Sequence, residues 1–356
     1  MEKAEKYLVI ITPGFPANEG DSTCLPSQQQ LVRALNRLEP SLEILILTYE
    51  YPFTKIGYWW FSNEVIPFNG WKKGFWRKSV TFLAMIKVLR RIYRDKNIIG
   101  ILSFWASAGA IVGKYFARLH GLIHYTWILG QDARKENKYV RFLAPKPEEL
   151  IALSISLQRE FQKNHHIKPK WIIPNAIDIS LYGSEDAIRD IDILGVGSLT
   201  TLKQYNILIR VVKTLTETYP LIRAVICGKG PEHDVLLSLI HELGLSQNIT
   251  LIGEKPHEVV LLLMQRARIL LHPSSYEGFS TVCLEALYAG AHVISFCNPK
   301  DNWVNHWHIV EDESAMTEIA LDLLEEENLN HDPVILYRIE DQADSLLKLF
   351  KDSSTA

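Results

Sequence analysis

Short runs of consecutive apolar residues alternate with longer amphipathic runs along the whole chain. The apolar runs predict strands at residues 7–12, 42–49, 98–104, 123–128, 150–154, 171–173, 191–196, 223–227, 249–252, 269–272 and 292–296. The amphipathic runs predict helices at residues 27–38, 79–94, 108–119, 157–165, 202–218, 232–243, 257–266 and 281–289. Continuously apolar strands separated by helices are typical of βαβ units with a buried parallel sheet. The pattern therefore predicts an α/β protein.

The length indicates two domains, because 356 residues exceed the ~150 residues of one typical domain. The boundary is expected near Pro174, where a proline ends a strand. We predict an N-terminal domain at 1–173, a C-terminal domain at 174–330, and a helical tail at 331–356 that could pack on either. Two doubly wound domains facing each other would place the carboxyl ends of their strands at a shared cleft, where such sheets bind ligands.

Composition excludes several classes of protein. Apolar residues make up 47% and charged residues 22% of the chain, which argues against disorder. The net charge of 38 − 41 = −3 does not suggest a nucleic-acid binder. Four scattered cysteines, at 24, 227, 283 and 297, form neither a disulfide framework nor a CxxC metal site. These features, and an N-terminus without a signal peptide's apolar core, predict a cytoplasmic protein.

The strongest chemical signal is the segment Pro273–Ser280, which joins a predicted strand to a predicted helix. This arrangement points the backbone N–H groups of Gly278, Phe279 and Ser280 towards the ligand edge of the sheet. Together with the helix dipole, these groups predict a phosphate-binding site.

Two glutamates, Glu277 and Glu285, lie eight residues apart in the same segment. Carboxylates would repel a bound phosphate, so they must face something else. Vicinal hydroxyls suit them, because a carboxylate accepts two hydrogen bonds from a diol. Either glutamate alone could be an ordinary residue of a helix start or a solvent-facing side chain, but the combination favours a site for a ribose or a sugar.

Residues 273–293, PSSYEGFSTVCLEALYAGAHV, resemble the E-x7-E signature of retaining GT-B glycosyltransferases of the family 4 type. Shorter segments resemble other motifs of that family in the same order: Leu150–Ser154, Ile173–Asp178, Val196–Leu199 with Lys203, and Cys227–Glu232. The resemblance covers about residues 150–295, and over 1–149 it is mostly architectural.

The resemblance implies a GT-B fold, in which an N-terminal acceptor-binding and a C-terminal donor-binding Rossmann-like domain face a central cleft. It implies a nucleotide-diphosphate sugar as donor. It implies that Glu285 holds the ribose, Glu277 contacts the transferred sugar and Lys203 neutralises the diphosphate. The remaining implied donor contacts are Gly278, Phe279 and Ser280 through their backbone, Ser198, and Gly253 beside the base. It also implies a reaction without a metal or other cofactor, with retention of anomeric configuration.

Ser198 departs from the family, which has an arginine at this position. Lys229 or Arg134 could supply the missing cation. If neither does, the alternative is a non-catalytic subunit that binds the sugar nucleotide. A nucleotide-sugar epimerase or a glycoside phosphorylase on the same architecture is a further alternative.

Two loops of the N-terminal half follow apolar strands. Gly20 lies in the first, which resembles the family's glycine-bearing loop near the donor phosphates or the acceptor. Asp132 lies in the second, residues 129–138, where it could touch the sugar or the acceptor hydroxyl as a catalytic residue. Either loop could instead be an ordinary solvated connection. The histidines at 165, 166, 306 and 308 do not have the spacing of a metal site.

Residues 72–96 contain nine basic residues and one acid, and aromatic residues lie just upstream. Such a stretch suits an anionic bilayer surface. The residues predicted to contact it are Trp59, Trp60, Trp76, Lys72, Lys73, Arg77 and Lys78. The alternative is a solvated helix with its aromatics in the core, or a groove for a soluble acceptor. The resemblance implies transfer to a glycan or lipid-linked acceptor in cell-surface polysaccharide or glycolipid synthesis. With this stretch, we expect the protein at the inner face of the membrane, and no nucleic-acid partner.

Overall fold

The computed structural model describes residues 5–70, 75–183, 188–297 and 303–352, with the side chains of 75–79 and 352 left out. The chain divides into two compact units. Unit 1 comprises residues 1–175 and 339–356, and unit 2 comprises residues 176–338. The first boundary therefore lies two residues beyond the predicted one.

Unit 1 is built on an eight-stranded sheet in the order β3-β4-β2-β1-β5-β6-β7-β8. Its strands are β1 (Lys6–Thr12), β2 (Leu42–Thr48), β3 (Tyr58–Trp60), β4 (Asn63–Pro67), β5 (Asn97–Phe104), β6 (His124–Ile128), β7 (Leu150–Ala152) and β8 (Trp171–Ile172). Its first five helices are α1 (Pro26–Leu38), α2 (Phe75–Asp95), α3 (Ala108–His120), α4 (Tyr139–Leu143) and α5 (Ile155–His165). All neighbouring strands are parallel except β3 and β4.

The centre of this sheet is covered closely by α3. A Cβ at Gly109 would lie 2.8 Å from Ile11 of β1, and one at Gly113 would lie 2.9 Å from the same side chain. Glycine is therefore what lets the helix approach the strand, and the strand predicted at 98–104 and the helix predicted at 108–119 are confirmed.

Unit 2 is built on a six-stranded, wholly parallel sheet in the order β11-β10-β9-β12-β13-β14. Its strands are β9 (Ile191–Val196), β10 (Ala224–Cys227), β11 (Ile249–Gly253), β12 (Ala267–His272), β13 (His292–Ser295) and β14 (Trp307–Ile309). Its helices are α6 (Tyr205–Leu215), α7 (His233–Glu242), α8 (His257–Arg266), α9 (Thr281–Tyr288) and α10 (Glu313–Glu325). The parallel α/β architecture predicted for both halves is confirmed.

The sequence pattern missed several elements and misplaced the start of one helix. Strands β3, β4 and β14 and helices α4 and α10 were not expected. The helix predicted from residue 202 begins at Tyr205, because residues 201–203 form a 3-10 turn and Gln204 adopts a left-handed conformation with φ of 49°. This delay places Lys203 in a loop at the end of β9, outside the helix.

The C-terminal tail is shared between the units. Residues up to 338 belong to unit 2, where Ile177 donates its N–H to Tyr337 O at 3.2 Å. Helix α11 (Ile339–Asp352) returns to unit 1. There Phe350 is 1% exposed, and Tyr125 donates its hydroxyl to Leu349 O at 3.2 Å. The predicted tail at 331–356 is thus corrected to a helix from 339 that completes unit 1.

Within the described ranges, no helix is long and apolar enough to cross a membrane.

Candidate functional site

The carboxyl edge of the unit 2 sheet brings together most of the residues predicted to bind a donor. Strand β12 ends at His272, and helix α9 begins at Thr281. Between them lie Gly278, Phe279 and Ser280, all buried. The Ser280 hydroxyl accepts a hydrogen bond from the Cys283 N–H at 3.4 Å and caps α9. The predicted strand–loop–helix is confirmed, and with it a helix N-terminus at this edge.

Glu277 is the centre of a charged cluster in this loop. Its Oε1 accepts hydrogen bonds from Lys203 Nζ and from His272 Nε2, the latter at 3.0 Å. Burial alone would raise the pKa of Glu277, but the His272 hydrogen bond and the Lys203 charge outweigh it and lower that pKa to about 2. Burial lowers the pKa of His272, which favours its neutral form. The cluster therefore holds one carboxylate against one ammonium group.

Glu285 lies within α9 and is 4% exposed. Its Oε1 is 2.7 Å from Nε2 of His257, the first residue of α8. Among the described residues, no hydrogen bond to Glu285 Oε2 is present. One carboxylate oxygen is thus fixed by the protein while the other remains able to accept a ligand hydroxyl, which is the geometry expected of a diol-binding glutamate.

The pKa of His257 is shifted by this contact. Burial lowers it, but the hydrogen bond and the charge of Glu285, with a smaller contribution from Glu258, raise it above its ordinary value. His257 therefore gains a proton more readily in the folded protein than in the unfolded chain.

Three neighbouring strand ends complete this edge. Ser198, which follows β9, is exposed, and the adjacent Leu199 N–H donates to Lys229 O at 2.9 Å. Gly253 ends β11 with φ of 71°, in the left-handed region. The Lys229 ammonium pairs with Glu254 on the surface. The structure thus brings Ser198, Lys203, Gly253, Glu277 and Glu285 to one edge of one sheet.

Gly228 shows how tightly these strand ends pack. A Cβ at this position would lie 1.8 Å from the backbone oxygen of Gly197, and φ of Gly228 is 157°. Only glycine allows the loops after β9 and β10 to approach this closely.

The residues predicted in the N-terminal half belong to unit 1. Gly20 is exposed, and its N–H donates to Asn18 Oδ1 at 2.9 Å. Its predicted contact with donor or acceptor stays a prediction. Arg134 also belongs to unit 1.

The carboxylate of Asp132 is turned into its own loop. Asp132 is 2% exposed, its Oδ2 accepts from the Leu129 N–H at 2.9 Å, and its Oδ1 accepts from Asn137 Nδ2 at 3.0 Å. Burial raises the pKa of Asp132 to about 7, against backbone hydrogen bonds that lower it. These contacts shape the loop, and the predicted contact of Asp132 with sugar or acceptor stays a prediction.

The predicted membrane face is corrected at Trp60. Because side chains alternate along β3, Trp59 is 64% exposed whereas Trp60 is 1% exposed and packs edge-on against Phe15. Trp60 is thus a core residue. Lys72 and Lys73 lie outside the described residues, as do the side chains of Trp76, Arg77 and Lys78.

Sequence reasoning missed His257 and His272. Both stand beside recognised features: His272 ends the strand before Pro273, and His257 opens the helix after the Gly253 loop. Their partners, however, lie on other elements. In the described part of the chain, no group of three or more His, Cys, Asp or Glu residues could hold a metal ion.

Part of the chain matches a known family model. Residues 186–332 match the family model of glycosyl transferases group 1. That match is about two fifths of the chain and covers most of unit 2, including every residue of the edge described above.

Two curated relatives match comparable stretches. The gpi3 subunit of phosphatidylinositol N-acetylglucosaminyltransferase from Schizosaccharomyces pombe is 29% identical over 164 residues, 45% of this chain and 36% of the relative. A Campylobacter jejuni N-acetylgalactosamine-N,N'-diacetylbacillosaminyl-diphospho-undecaprenol 4-alpha-N-acetylgalactosaminyltransferase is 33% identical over 167 residues, 44% of each chain. The matched part is thus less than half the length of either relative.

A solved structure resembles the chain over almost its whole length. Sucrose-phosphate synthase from Thermosynechococcus elongatus superposes with a TM-score of 0.74, covering 99% of both chains at 15% identity. The chain has the GT-B fold, with two Rossmann-like α/β domains.

The raised pKa of His257 makes stability depend on pH. The extra stability from protonated His257 is fully present below the ordinary histidine pKa of about 6.5 and is lost as pH rises through the higher value of the folded protein. We expect the difference in free energy of unfolding between wild type and His257→Gln to shrink steadily from about pH 5.5 to about pH 8.5, a range that brackets the ordinary histidine pKa. Urea unfolding across this range measures it.

His241→Gln is the matched control, because His241 is an exposed histidine of α7 in the same unit. If the difference in free energy of unfolding between wild type and His257→Gln stays constant with pH, the raised pKa of His257 is contradicted. The same holds if His241→Gln shows the same pH dependence.

Proposed function

We propose that the chain is a retaining glycosyltransferase of the E-x7-E group, which transfers a hexosyl unit from a nucleotide-diphosphate sugar to a glycan or lipid-linked acceptor. The observation that carries the proposal is the pair of glutamates at one sheet edge. Glu277 is bound by an ammonium group, and Glu285 keeps one oxygen open. Both lie within the stretch that matches the glycosyl transferases group 1 model.

The donor is proposed to lie along this edge. Glu285 Oε2 accepts the ribose hydroxyls, and the base lies beside Gly253. The Lys203 ammonium and the N-terminus of α9 neutralise the diphosphate, so the proposal includes no metal or other cofactor. Glu277 contacts the transferred sugar while it holds Lys203 in place.

Transfer is proposed to proceed on one face of the sugar. The bond from the anomeric carbon to the diphosphate oxygen breaks, and a bond from that carbon to the acceptor oxygen forms on the same side. The acceptor's hydroxyl proton passes to the leaving diphosphate. Glu277 is a poor nucleophile in this setting, because Lys203 and His272 stabilise its charge and hold its pKa at about 2. Most of the rate then comes from positioning and from electrostatic stabilisation of the leaving group.

A second candidate function is a non-catalytic subunit that binds a sugar nucleotide. The observation that favours it is Ser198, which is exposed where the family signature has an arginine. The Lys229 ammonium lies at the end of the neighbouring strand. Its partner among the described residues is Glu254, in a surface ion pair that is weak enough to yield to a phosphate. We therefore favour transfer, with Lys229 in place of the missing arginine.

The acceptor is proposed to be lipid-linked or glycan, in cell-surface polysaccharide or glycolipid synthesis at the inner face of the membrane. One relative's name includes a diphospho-undecaprenol acceptor. In unit 1, a groove of about 600 Å³ is lined by Lys55, by residues 66–68 at the end of β4, and by α2 residues between Val80 and Val88. Val80, which lines the groove, is exposed, and so are four apolar residues close in sequence to lining residues or to β4: Phe53, Ile56, Trp59 and Leu83. Exposed basic residues follow further along α2, at Lys87, Arg90, Arg91 and Arg94.

The anomeric configuration of the product tests the transfer proposal. Wild type is incubated with α-linked UDP-, GDP- and ADP-sugars and with polyprenyl-diphosphate or oligosaccharide acceptors, and the product is analysed by NMR. We expect an α-linked product from one donor class and strongly reduced turnover in Glu277→Gln.

Glu318→Gln, an exposed glutamate of α10, is the matched control and should transfer normally. A β-linked product would contradict retention. Donor binding without any transfer would favour the non-catalytic subunit.

Sedimentation with liposomes tests the membrane proposal. We expect binding to vesicles containing phosphatidylglycerol at low salt, weaker binding at high salt, and weak binding to pure phosphatidylcholine. Leu83→Ser should reduce binding by about tenfold or more, because it removes an apolar side chain from the bilayer contact.

Leu221→Ser, at an exposed leucine of unit 2, is the control and should bind as wild type does. No sedimentation of wild type at low salt would rule out the membrane face.

A further inference from the structure

Tyr205 carries a buried hydroxyl that has no partner in the described part of the chain. The side chain is 3% exposed, and its hydroxyl oxygen makes no hydrogen bond there. Buried polar atoms are normally paired, so this exception calls for a physical reason. Burial raises the pKa of Tyr205, and the charge of Glu277 raises it further, so the hydroxyl keeps its proton and stays a donor at neutral pH.

The hydroxyl lies at the carboxyl end of β9, beside the charged cluster around Glu277. Tyr205 is the first residue of α6, and its ring packs on β9, where a Cβ at Gly195 would lie 3.0 Å from Tyr205 Cε1. A Cβ at Gly197 would lie 3.0 Å from the Tyr205 hydroxyl and 3.7 Å from Lys203 Cε. The hydroxyl and the lysine side chain therefore converge on the same point of the backbone.

The two loops that form the cluster are tied to each other. Ser275, in the loop of Glu277, donates its N–H to Leu202 O at 3.0 Å and its hydroxyl to the same oxygen at 3.2 Å. Leu202 precedes Lys203 in the loop after β9. These bonds hold the backbone of both loops in place, so the cluster responds to a ligand chiefly by rotation of its side chains.

Glu277 uses one of its two carboxylate oxygens within the protein. Oε1 accepts from both Lys203 Nζ and His272 Nε2, whereas Oε2 accepts no hydrogen bond from the residues that the structure describes. A carboxylate has about four acceptor positions, so Oε2 can accept from a protein donor as well as from a ligand hydroxyl.

A diphosphate at this edge would change the charge balance around Glu277. Its negative charge would repel the carboxylate, and it would share the Lys203 ammonium that pairs with Glu277. Both effects make the ionised form of a largely buried carboxylate more costly. A further hydrogen bond to the charged form would offset that cost.

We propose that Tyr205 is a positioning residue for donor binding, whose hydroxyl donates to Glu277 when a diphosphate engages Lys203. The hydroxyl oxygen is buried, so it acts through Glu277 and makes no contact with the donor itself. This explains why a buried donor stands unused beside the cluster: its acceptor needs it only when the diphosphate is bound. The inference rests on the proposed function and adds a residue that stabilises the donor-bound state alone.

Tyr205→Phe tests the proposal because it removes the hydroxyl and keeps the ring. The free energy of unfolding without nucleotide should be unchanged or slightly higher, since no hydrogen bond is lost. Affinity for the nucleotide that wild type binds, among UDP, GDP and ADP, should fall roughly tenfold or more, since a hydrogen bond to a charged group is lost in the bound state. Urea unfolding and calorimetry measure the two quantities.

A double-mutant cycle with Glu277→Gln separates positioning from a general structural role. In the Glu277→Gln background, Tyr205→Phe should change nucleotide affinity little, because the carboxylate that the hydroxyl serves is gone. A general structural role predicts the same loss in both backgrounds, and that result would overturn the proposal.

Tyr49→Phe is the matched control. Tyr49 also carries a buried hydroxyl without a partner among the described residues, and it is 5% exposed, but it belongs to unit 1. Its loss should leave both the free energy of unfolding and nucleotide affinity unchanged.

The outcomes distinguish this proposal from the proposed function. If wild type binds a nucleotide and Tyr205→Phe binds it equally well, the role of Tyr205 is wrong while the proposed function stands. If Tyr205→Phe destabilises the protein without nucleotide, the hydroxyl already has a partner and the proposal is overturned. If wild type binds none of the three nucleotides, the donor assignment fails and the role of Tyr205 fails with it.

Discussion

The candidate site depends on one partly buried charge pair, formed by the Glu277 carboxylate and the Lys203 ammonium. An isolated carboxylate in this loop would be expensive to bury, and so would the ammonium facing it. The two opposite charges offset each other's cost of burial. His272 adds a hydrogen bond at 3.0 Å to Glu277 Oε1, the oxygen that Lys203 also contacts. The pair consequently keeps a cation at the edge of the sheet where a helix begins, and this is where we propose that the donor diphosphate binds.

The parallel topology explains why these residues meet. Lys203 and Glu277 are separated by 74 positions in sequence, but they follow β9 and β12, which are adjacent in the sheet. Glu285 and His257 likewise start from neighbouring helices of the same unit. A parallel sheet delivers the residues after each strand to a common edge, so binding groups from distant segments need only short loops to converge.

Much of the fold could be predicted from the sequence because buried parallel strands are continuously apolar, as in Leu8–Ile11. The glutamate pair could be predicted because it lies in one short segment. Contacts between side chains on different elements could not be predicted, because no residue near His257 in sequence indicates that it faces Glu285.

The direction of individual side chains could not be predicted from the sequence either. Asp132 stands in a polar loop that favours an exposed site, yet its carboxylate caps that loop from within. Trp60 follows the exposed Trp59 in sequence. The alternation of side-chain direction along β3 places Trp60 in the core and Trp59 at the surface. The tail was ambiguous because α11 has an apolar face that either unit could have received, and the contact of Phe350 with unit 1 decides it.

The central claim is that a sugar-nucleotide donor binds at the carboxyl edge of the unit 2 sheet. Calorimetry of nucleoside diphosphates with wild type and Glu285→Gln tests it most directly. A charge-assisted hydrogen bond contributes about 1.5–3 kcal/mol, so the variant should lose roughly 10–150-fold in affinity for the matching nucleotide. That loss for one nucleotide, with the 2′,3′-dideoxy form of the same nucleotide bound equally by both proteins, is the predicted result. Equal affinity of both proteins for the ribose form would contradict the placement of the donor at this edge.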